Sequence, residues 1–285
     1  MQINEKAYAK LNLFLDVTGK RKDGFHDICS VMHAVSLADE VAIKAEKADY
    51  SCITLRMENS DIPTDARNLA YLAAERFLEE SGIDAAVDIR IEKNIPAAAG
   101  LGGGSSDAAA VLRGLNIAFG SPLSVEKLCA IGASIGSDVP FCIVGGTRLC
   151  RGKGEKMSIY PMDDKIFVIV PPVAEKMETP KAYRMLDEAF QNYENENPAL
   201  HEALFDFFAE DATLGMYNVF ESVVLPLSPE TDELRAELDR LGARAAMMSG
   251  SGTAVFGIFE TEEEANAAAR ELPGAVVCKS IGALL

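Results

Sequence analysis

The 285-residue sequence has no tryptophan, only three histidines and a marked shortage of positive charge. Lys and Arg together number 27 against 44 Asp and Glu, which gives a formal net charge of −17 at pH 7. Nucleic-acid binding depends mainly on Lys and Arg contacts to the phosphate backbone, so this balance argues against a nucleic-acid partner. Any phosphate-binding site must therefore be local and built from backbone amides with one or two lysines.

Long apolar runs are also missing from the sequence. Nowhere do about eighteen uninterrupted apolar residues occur, and the apolar stretch that follows the N-terminal MQINEK is broken by Lys10 and Asn12. No signal peptide or membrane span is visible, so we expect a cytoplasmic protein without a membrane partner. The six cysteines include no C-x-x-C pair and are not near the histidines at metal-ligand spacing, which predicts reduced, mostly buried thiols.

The length of the chain predicts one large α/β domain or two smaller domains that share a cleft. Glycines cluster with charged residues between positions 145 and 154, and a continuous apolar run typical of a buried strand begins at residue 165. We place the domain boundary between these two features. The N-terminal domain is then residues 1–158 and the C-terminal domain residues 159–285.

Several strands are indicated by alternation of apolar and polar residues. The clearest covers residues 7–17 and places Lys10 and Asn12 on the same face. Alternation over residues 87–91 predicts a second strand, and it leaves Lys93 exposed at the strand's end.

Helices are indicated by apolar spacing and by capping residues. Residues 65–81 predict a helix with Asp65 as its N-cap and Gly82 at its end. A helical pattern also extends around residues 180–208, although 192–198 are polar enough to form a loop. Thr261 and Glu264 form a capping box for the last helix.

The most informative segment is PAAAGLGGGSSDAA, residues 96–109, which lies between the strand that ends at Lys93 and a helix predicted from Asp107, capped by Ser105 or Ser106. Its four glycines allow tight turns and close approach of a ligand, while the helix start offers unpaired N–H groups and the positive end of the helix dipole. No Walker lysine follows, and no dinucleotide-binding fingerprint fits. A flexible connector is the alternative, but a strand-to-helix position favours anion binding.

This segment resembles the central motif of the GHMP kinases, named for galactokinase, homoserine kinase, mevalonate kinase and phosphomevalonate kinase. AKLNL at residues 9–13 resembles the family's N-terminal motif, and SGSGTAVF at residues 249–256 resembles its C-terminal glycine motif. The resemblance implies an α+β, two-domain fold. The N-terminal ATP-binding domain would be of the ribosomal-protein-S5-like type, and the C-terminal domain would be a ferredoxin-like α/β domain.

Four details resemble one branch of the family, whose acceptor is a cytidine diphosphate methylerythritol in the methylerythritol phosphate route to isoprenoid precursors. They are AKLNL followed by GFH at 24–26, the triple glycine of the loop, GSDVPF at 136–141 and GKGE at 152–155. We therefore expect ATP-dependent phosphorylation of the acceptor's 2-hydroxyl. A GHMP kinase of the homoserine or mevalonate type is one alternative, and an ATP-binding protein without catalytic activity is another.

By this resemblance Asp138 is the catalytic base and Lys10 is its partner at the acceptor hydroxyl. A carboxylate can accept the hydroxyl proton, and a nearby ammonium keeps that carboxylate ionised and offsets charge on the transferred group. Without the resemblance, Asp138 would be interpreted as a helix cap or surface carboxylate and Lys10 as a solvent-facing strand residue. Asp138 is also expected near a helix start, where the dipole favours its charge.

The resemblance places Asn12, Phe25, His26, Asp138 and Thr179 around the acceptor, with Gly250 and Ser251 on the same side of the cleft. An aromatic ring offers a stacking face to cytosine and a histidine can bond its polar edge. Phe25 stands where the family more often has tyrosine, so a hydroxyl contact would be lost. Packing in a turn is the alternative interpretation of Phe25 and His26, and His33 and His201 are interpreted as structural.

ATP and Mg²⁺ are the implied cofactors. The resemblance places ten residues around the nucleotide: Asn68, Lys93, Pro96, Gly100, Leu101, Gly102, Gly103, Gly104, Ser105 and Ser106. Ser106 is also a candidate contact for Mg²⁺, although the sequence does not identify the metal ligands. A solvated surface charge is the alternative for Lys93, and the sequence leaves open whether the protein is a monomer or a homodimer.

Overall fold

The structure is a computed structural model that describes residues 1–173, 177–190, 205, 206, 208 and 211–285. Its first feature is a long antiparallel hairpin formed by β1 (Gln2–Lys20) and β2 (His26–Lys47). The strand predicted at residues 7–17 is confirmed as part of β1. Three irregularities in the pairing interrupt β1, and its side chains are buried on both faces from Ala9 to Val17, so strict alternation does not describe its centre.

The hairpin is the middle of a sheet with seven strands among the described residues, ordered β3-β4-β2-β1-β8, with β5 paired to β2 and β6 paired to β5. The added strands are β3 (Cys52–Glu58), β4 (Ala85–Glu92), β5 (Thr147–Gly152), β6 (Lys156–Ile159) and β8 (Tyr217–Asn218). β3 is parallel to β4 and β8 is parallel to β1, whereas the other pairs are antiparallel. β8 therefore brings residues from late in the chain to the edge of the first sheet.

Four helices belong to the same half: α1 (Leu69–Ser81), α2 (Gly103–Ala118), α3 (Val125–Ile135) and α4 (Val139–Val144). The predicted N-cap Asp65 is wrong, because Asn68 caps α1 through a 2.9 Å bond from the Ala70 N–H to its Oδ1. The stop at Gly82 is confirmed by its left-handed backbone.

Helix α2 begins four residues earlier than predicted, so neither Ser105 nor Ser106 is its cap. Gly102 is the N-cap with φ +73°, and both serines lie in the first turn. Glycines are poor helix formers, but here the turn is fixed from outside, since Ser106 Oγ donates to Tyr8 O on β1 at 2.6 Å. Burial of α2 from Ser106 to Leu115 supplies the tertiary packing that overrides propensity.

The second sheet contains β7 (Ile166–Val170), β9 (Ala245–Met248), β10 (Val255–Phe259) and β11 (Val276–Lys279), paired antiparallel in the order β11-β7-β10-β9. Its helices are α5 (Thr179–Phe190), α6 (Glu221–Val224), α7 (Pro229–Arg240) and α8 (Glu262–Glu271), with a 3₁₀ turn at Leu225–Leu227. The capping box of Thr261 and Glu264 is confirmed in both directions. Most of the predicted helical stretch beyond residue 190 lies outside the described residues.

Mixed strands and helices in two units confirm the α+β fold. The strands up to Ile159 belong to the first sheet and those from Ile166 to the second, apart from β8. The division at 158/159 is compatible with this arrangement and stays a prediction. Two backbone bonds tie the last segment to the first half, from Ile281 N to Ala34 O at 2.9 Å and from Leu284 N to Val144 O at 2.8 Å. Within the described part of the chain, no helix is both long and apolar enough to cross a membrane.

Candidate active site

A cavity of ≈ 790 Å³ is lined by residues of both halves. Eleven residues that the sequence proposed for the site share this lining: Lys10, Asn12, Phe25, His26, Gly100, Gly102, Ser105, Asp138, Thr179, Gly250 and Ser251. Seven proposed ATP residues do not line it: Asn68, Lys93, Pro96, Leu101, Gly103, Gly104 and Ser106. The cavity thus brings the residues predicted for the acceptor together with one side of the glycine loop, and all of these roles stay predictions.

Lys10 and Asp138 form an ion pair on the cavity wall, with Lys10 Nζ 3.7 Å from Asp138 Oδ2. Lys10 is not the solvent-facing lysine of the alternative interpretation, because its side chain is 6% exposed, whereas Asp138 is 32% exposed. Lys10 Nζ also donates to Asn12 Oδ1 at 2.6 Å, and Asn12 Nδ2 donates to Ser30 Oγ at 2.8 Å. These hydrogen bonds fix the position of the Lys10 ammonium, whereas the Asp138 carboxylate is partly exposed and can contact a ligand in the cavity.

Asp138 is the N-cap residue of the short helix α4, which confirms its expected position at a helix start. Its side chain makes no capping bond, so the carboxylate is not occupied by the helix. The backbone N–H of Lys10 donates to Leu101 O at 3.0 Å. β1 therefore links the Lys10–Asp138 pair directly to the glycine loop.

The glycine loop needs its glycines for two separate reasons. Gly100 and Gly102 have φ of +82° and +73°, which L side chains rarely adopt, and a Cβ on Gly102 would lie 2.9 Å from Lys10 Cγ. After this loop, the first N–H groups of α2 have no acceptor within the helix, so they can donate to an anion.

The second glycine loop, residues 249–252, packs directly against the first. Ser249 Oγ donates to Gly100 O at 3.0 Å, and the Ala254 N–H donates to Ala99 O at 3.3 Å. Asn218 on β8 holds this second loop by donating to Met248 O and Gly250 O, both at 2.8 Å. Asn218 was missed at the sequence level, where a two-residue strand leaves no periodic signal.

The two serines of the first loop have different environments. Ser106 is buried and its hydroxyl donates to Tyr8 O, whereas Ser105 lines the cavity. Ser105 is therefore the serine placed to meet a ligand in this structure. Its hydroxyl oxygen is of the kind that a hard cation such as Mg²⁺ binds, and Mg²⁺ needs few protein ligands when phosphate and water supply the rest. No cluster of three or more metal-ligating side chains occurs within the described ranges.

Lys93 is buried, so the expectation of an exposed side chain is wrong. Its Nζ contacts Asp39 Oδ2 and lies 2.7 Å from Asp107 Oδ2, while Asp39 Oδ1 accepts from the N–H groups of Asn94 and Ile95. Alternation could not reveal this, because the partners lie 54 and 14 residues away in sequence. The three charges hold the end of β4 against the first turns of α2.

Asp107 is the unbalanced member of this cluster. Burial raises the pKa of its carboxyl to about 7, with Lys93 opposing the shift and Asp39 adding to it. Its Oδ1 is buried without a hydrogen-bond partner among the described residues. This group of two acids and one lysine therefore binds a proton as the pH falls to about 7.

The end of the cavity between the hairpin turn and α5 contains residues that the sequence did not single out. His26 Nε2 lies 2.7 Å from Asp187 Oδ1, and the His26 ring stacks on Tyr183 with centroids 4.5 Å apart. Phe25 is 53% exposed, with Lys153 Nζ 4.6 Å from its ring centroid. Thr179 was predicted, and the i, i+4 spacing of α5 would have pointed from it to Tyr183 and Asp187.

Comparisons with known proteins identify the family of this chain. Residues 68–146 match the family described as GHMP kinases N terminal domain, and residues 197–277 match the family described as GHMP kinases C terminal. The chain belongs to the GHMP kinase family.

Its relatives include one particular kind of kinase. The 4-diphosphocytidyl-2-C-methyl-D-erythritol kinase of Bacillus pumilus is 42% identical and covers 93% of this chain and 90% of its own length. That of Macrococcus caseolyticus is 40% identical, with 98% and 97% covered. A crystal structure of 4-(cytidine 5'-diphospho)-2C-methyl-D-erythritol kinase matches with a TM-score of 0.80 at 33% identity and covers 98% of this chain and all of that one. The homoserine kinase of Cytophaga hutchinsonii, at a TM-score of 0.75 and 20% identity over 99% of this chain and 95% of that one, shares the fold.

Proposed function

We propose that this protein transfers the γ-phosphoryl group of ATP to the 2-hydroxyl of 4-diphosphocytidyl-2-C-methyl-D-erythritol, a step of the methylerythritol phosphate route to isoprenoid precursors. The observation that carries the proposal is the Lys10–Asp138 pair, 3.7 Å apart on a cavity that also contains the glycine loop. Near-full-length relatives bearing this enzyme name support the choice of acceptor. We further propose that the protein acts in the cytosol, as a monomer or homodimer, without a nucleic-acid or membrane partner.

The chemistry is direct transfer between two bound substrates. Asp138 accepts the proton of the acceptor hydroxyl as its oxygen attacks the γ-phosphorus, and ADP leaves from the opposite side. Lys10, 3.7 Å from Asp138, stabilises negative charge on the transferred group. Backbone N–H groups of the glycine loop and the start of α2 bind the phosphates and hold them in line with the acceptor.

Mg²⁺ fits the residues present, and Ser105, which lines the cavity, is the residue that would hold it beside the phosphates. Bound there, the ion would neutralise part of the phosphate charge. The protein's own contribution is to position the phosphates, to exclude water between the two halves and to accept the proton at Asp138.

The test is a coupled ADP-release assay with Asp138→Asn and Lys10→Met. Each change should lower kcat by about 10²–10⁴-fold because it removes the base or the charge beside it. Asp163→Asn, a change outside the cavity, should leave the rate unaltered. Near wild-type turnover in either site variant would refute the role assigned to that residue.

An acceptor panel separates this function from its alternatives. Phosphorylation of homoserine or mevalonate in place of the cytidine-bearing acceptor would indicate another GHMP kinase activity. Tight ATP binding without ADP release for any acceptor would indicate an ATP-binding protein without catalytic activity. No feature of the cavity favours either alternative, and the likeness to homoserine kinase at 20% identity concerns the fold.

A further inference from the structure

Asp187 bonds to two residues of the opposite half of the molecule. It lies on α5, and its carboxylate contacts His26 Nε2 at 2.7 Å through Oδ1 and Lys20 Nζ at 2.6 Å through Oδ2. Lys20 is the last residue of β1 and His26 is the first of β2. One side chain therefore joins both strands of the hairpin to α5 at the cavity wall.

Asp187 also determines where the proton of His26 lies. Burial raises the pKa of Asp187, but hydrogen bonds from Lys20 and His26 outweigh this effect and leave the pKa below its ordinary value. The carboxylate is thus ionised at neutral pH and can only accept hydrogen bonds. His26 Nε2 must therefore carry a proton and donate a hydrogen bond to Asp187 Oδ1.

The face of the His26 ring is fixed by an aromatic stack. Tyr183, one turn before Asp187 on α5, lies against the ring at 4.5 Å with an interplanar angle of 23°, and Phe220 supports Tyr183 edge-on at 4.9 Å. His26 is held at its edge by Asp187 and on its face by Tyr183. Its ring can then present only one orientation to a ligand in the cavity.

We propose that Asp187 is a positioning residue that sets the affinity and base preference for the cytosine nucleotide portion of the acceptor by fixing His26. This inference rests on the proposed function, because it assumes a cytosine nucleotide at this end of the cavity. A base edge is recognised by donors and acceptors at fixed places, and a ring free to turn loses that discrimination. Asp187 itself acts through His26 and takes no part in phosphoryl transfer.

The test compares Asp187→Ala with wild type in steady-state kinetics and in calorimetric titration with CMP and UMP. Loss of an oriented, charge-assisted bond predicts a rise of about 10–100-fold in both the acceptor KM and the Kd for CMP. The KM for ATP should not change and kcat should change by less than about threefold, since catalysis and the glycine loop are untouched. The preference for CMP over UMP should fall in parallel.

Three further variants separate positioning from simple structural support. Asp187→Asn keeps an oxygen that accepts from His26 Nε2 and should restore most of the CMP affinity. Lys20→Met leaves the Asp187–His26 contact in place and should have a smaller effect than Asp187→Ala. Glu188→Gln removes an acidic charge from an exposed neighbour on the same helix and serves as the matched control.

The inference is overturned if Asp187→Ala binds CMP as wild type does, or if it raises the KM for ATP and the acceptor equally together with a loss of thermal stability. Calorimetry needs no turnover, so the two proposals can fail separately. CMP binding that depends on Asp187 in a protein without kinase activity would refute the proposed function and support this role. Kinase activity on the cytidine-bearing acceptor that is indifferent to Asp187 would do the reverse.

Discussion

The contact between the two glycine loops predicts a large effect for Gly100→Ala. Gly100 has φ +82°, and a Cβ built there would lie 2.0 Å from Ser249 O and 3.2 Å from Gly252 N. Both are backbone atoms, and Ser249 O already accepts from the Gly252 N–H at 3.3 Å, so this carbonyl cannot turn away without breaking its own turn. The two loops would have to separate by more than an ångström to reach ordinary contact distance.

The magnitude follows from two costs. Left-handed backbone at an L residue costs about 1–2 kcal/mol, and forcing an extra methyl group into a packed site costs about 1–3 kcal/mol. The free energy of unfolding should therefore fall by about 2–5 kcal/mol. Because Gly100 and Gly102 line the cavity in which we propose that the phosphates bind, the KM for ATP should rise about tenfold or more, corresponding to about 1.4 kcal/mol of lost binding.

Gly120→Ala is a closely matched control. Gly120 has φ +81°, but a Cβ there would meet nothing within 4 Å. It should show the backbone cost of about 1–2 kcal/mol alone, with unchanged kinetics. Urea denaturation and ADP-release assays of both variants measure the comparison. Variants that agree within about 0.5 kcal/mol and share the wild-type KM would refute the tight packing of the two loops.

Two predictions concern buried titrating groups and one concerns thiols. The pKa of the Asp107 carboxyl is raised to about 7, so the stability that its protonation contributes is present below the unfolded pKa of 3.8 and is lost as pH rises towards 7. In urea unfolding, Asp107→Asn should therefore gain stability relative to wild type as pH rises from 3.8 to 7. A difference that stays constant with pH would contradict the shift. Burial lowers the pKa of His33 to about 4, so as pH falls below 6.5 the unfolded chain takes up a proton before the folded protein does, and stability drops between pH 6.5 and pH 4. His33→Gln should reduce this drop in urea unfolding. An unaltered dependence of stability on pH would exclude His33 as its source. Cys52 is exposed, whereas burial raises the pKa of the Cys142 thiol to about 12. Ellman's reagent should therefore label Cys52 first, and Cys52→Ser should remove the fast phase of the labelling reaction. A fast phase that persists in this variant would contradict the prediction.

Local patterns predicted much of the fold because their causes are local. The strand around Lys10, the stop at Gly82 and the capping box at Thr261 were each predicted from residues a few positions apart, and the structure confirms all three. The start of α2 was predicted too late because glycine propensity argues against a helix at Gly103, while contacts to β1 and burial decide in its favour. Asp65 was preferred over Asn68 as a cap although both residue types cap well, since the local sequence does not distinguish them.

The site was predictable where a motif carried it and not where distant residues completed it. Lys10, Asp138 and the glycine loop stand in recognisable segments, and the structure brings them to one cavity. The partner of His26 could not be predicted in this way, because Asp187 is 161 residues away in sequence. Lys93 was misjudged for the same reason, as its burial depends on an aspartate from β2 and another from α2.

The late return of the chain to its first half has a consequence for biosynthesis. The β1 edge acquires its neighbour only when Tyr217 and Asn218 arrive, and the carbonyls of Ala34 and Val144 wait for residues 281 and 284. A nascent chain that stalls before these positions lacks the segments that brace the strand of Lys10 and the helix that follows Asp138. The strand of Lys10 and the helix that follows Asp138 therefore acquire these supporting contacts only after nearly all of the chain has been synthesised.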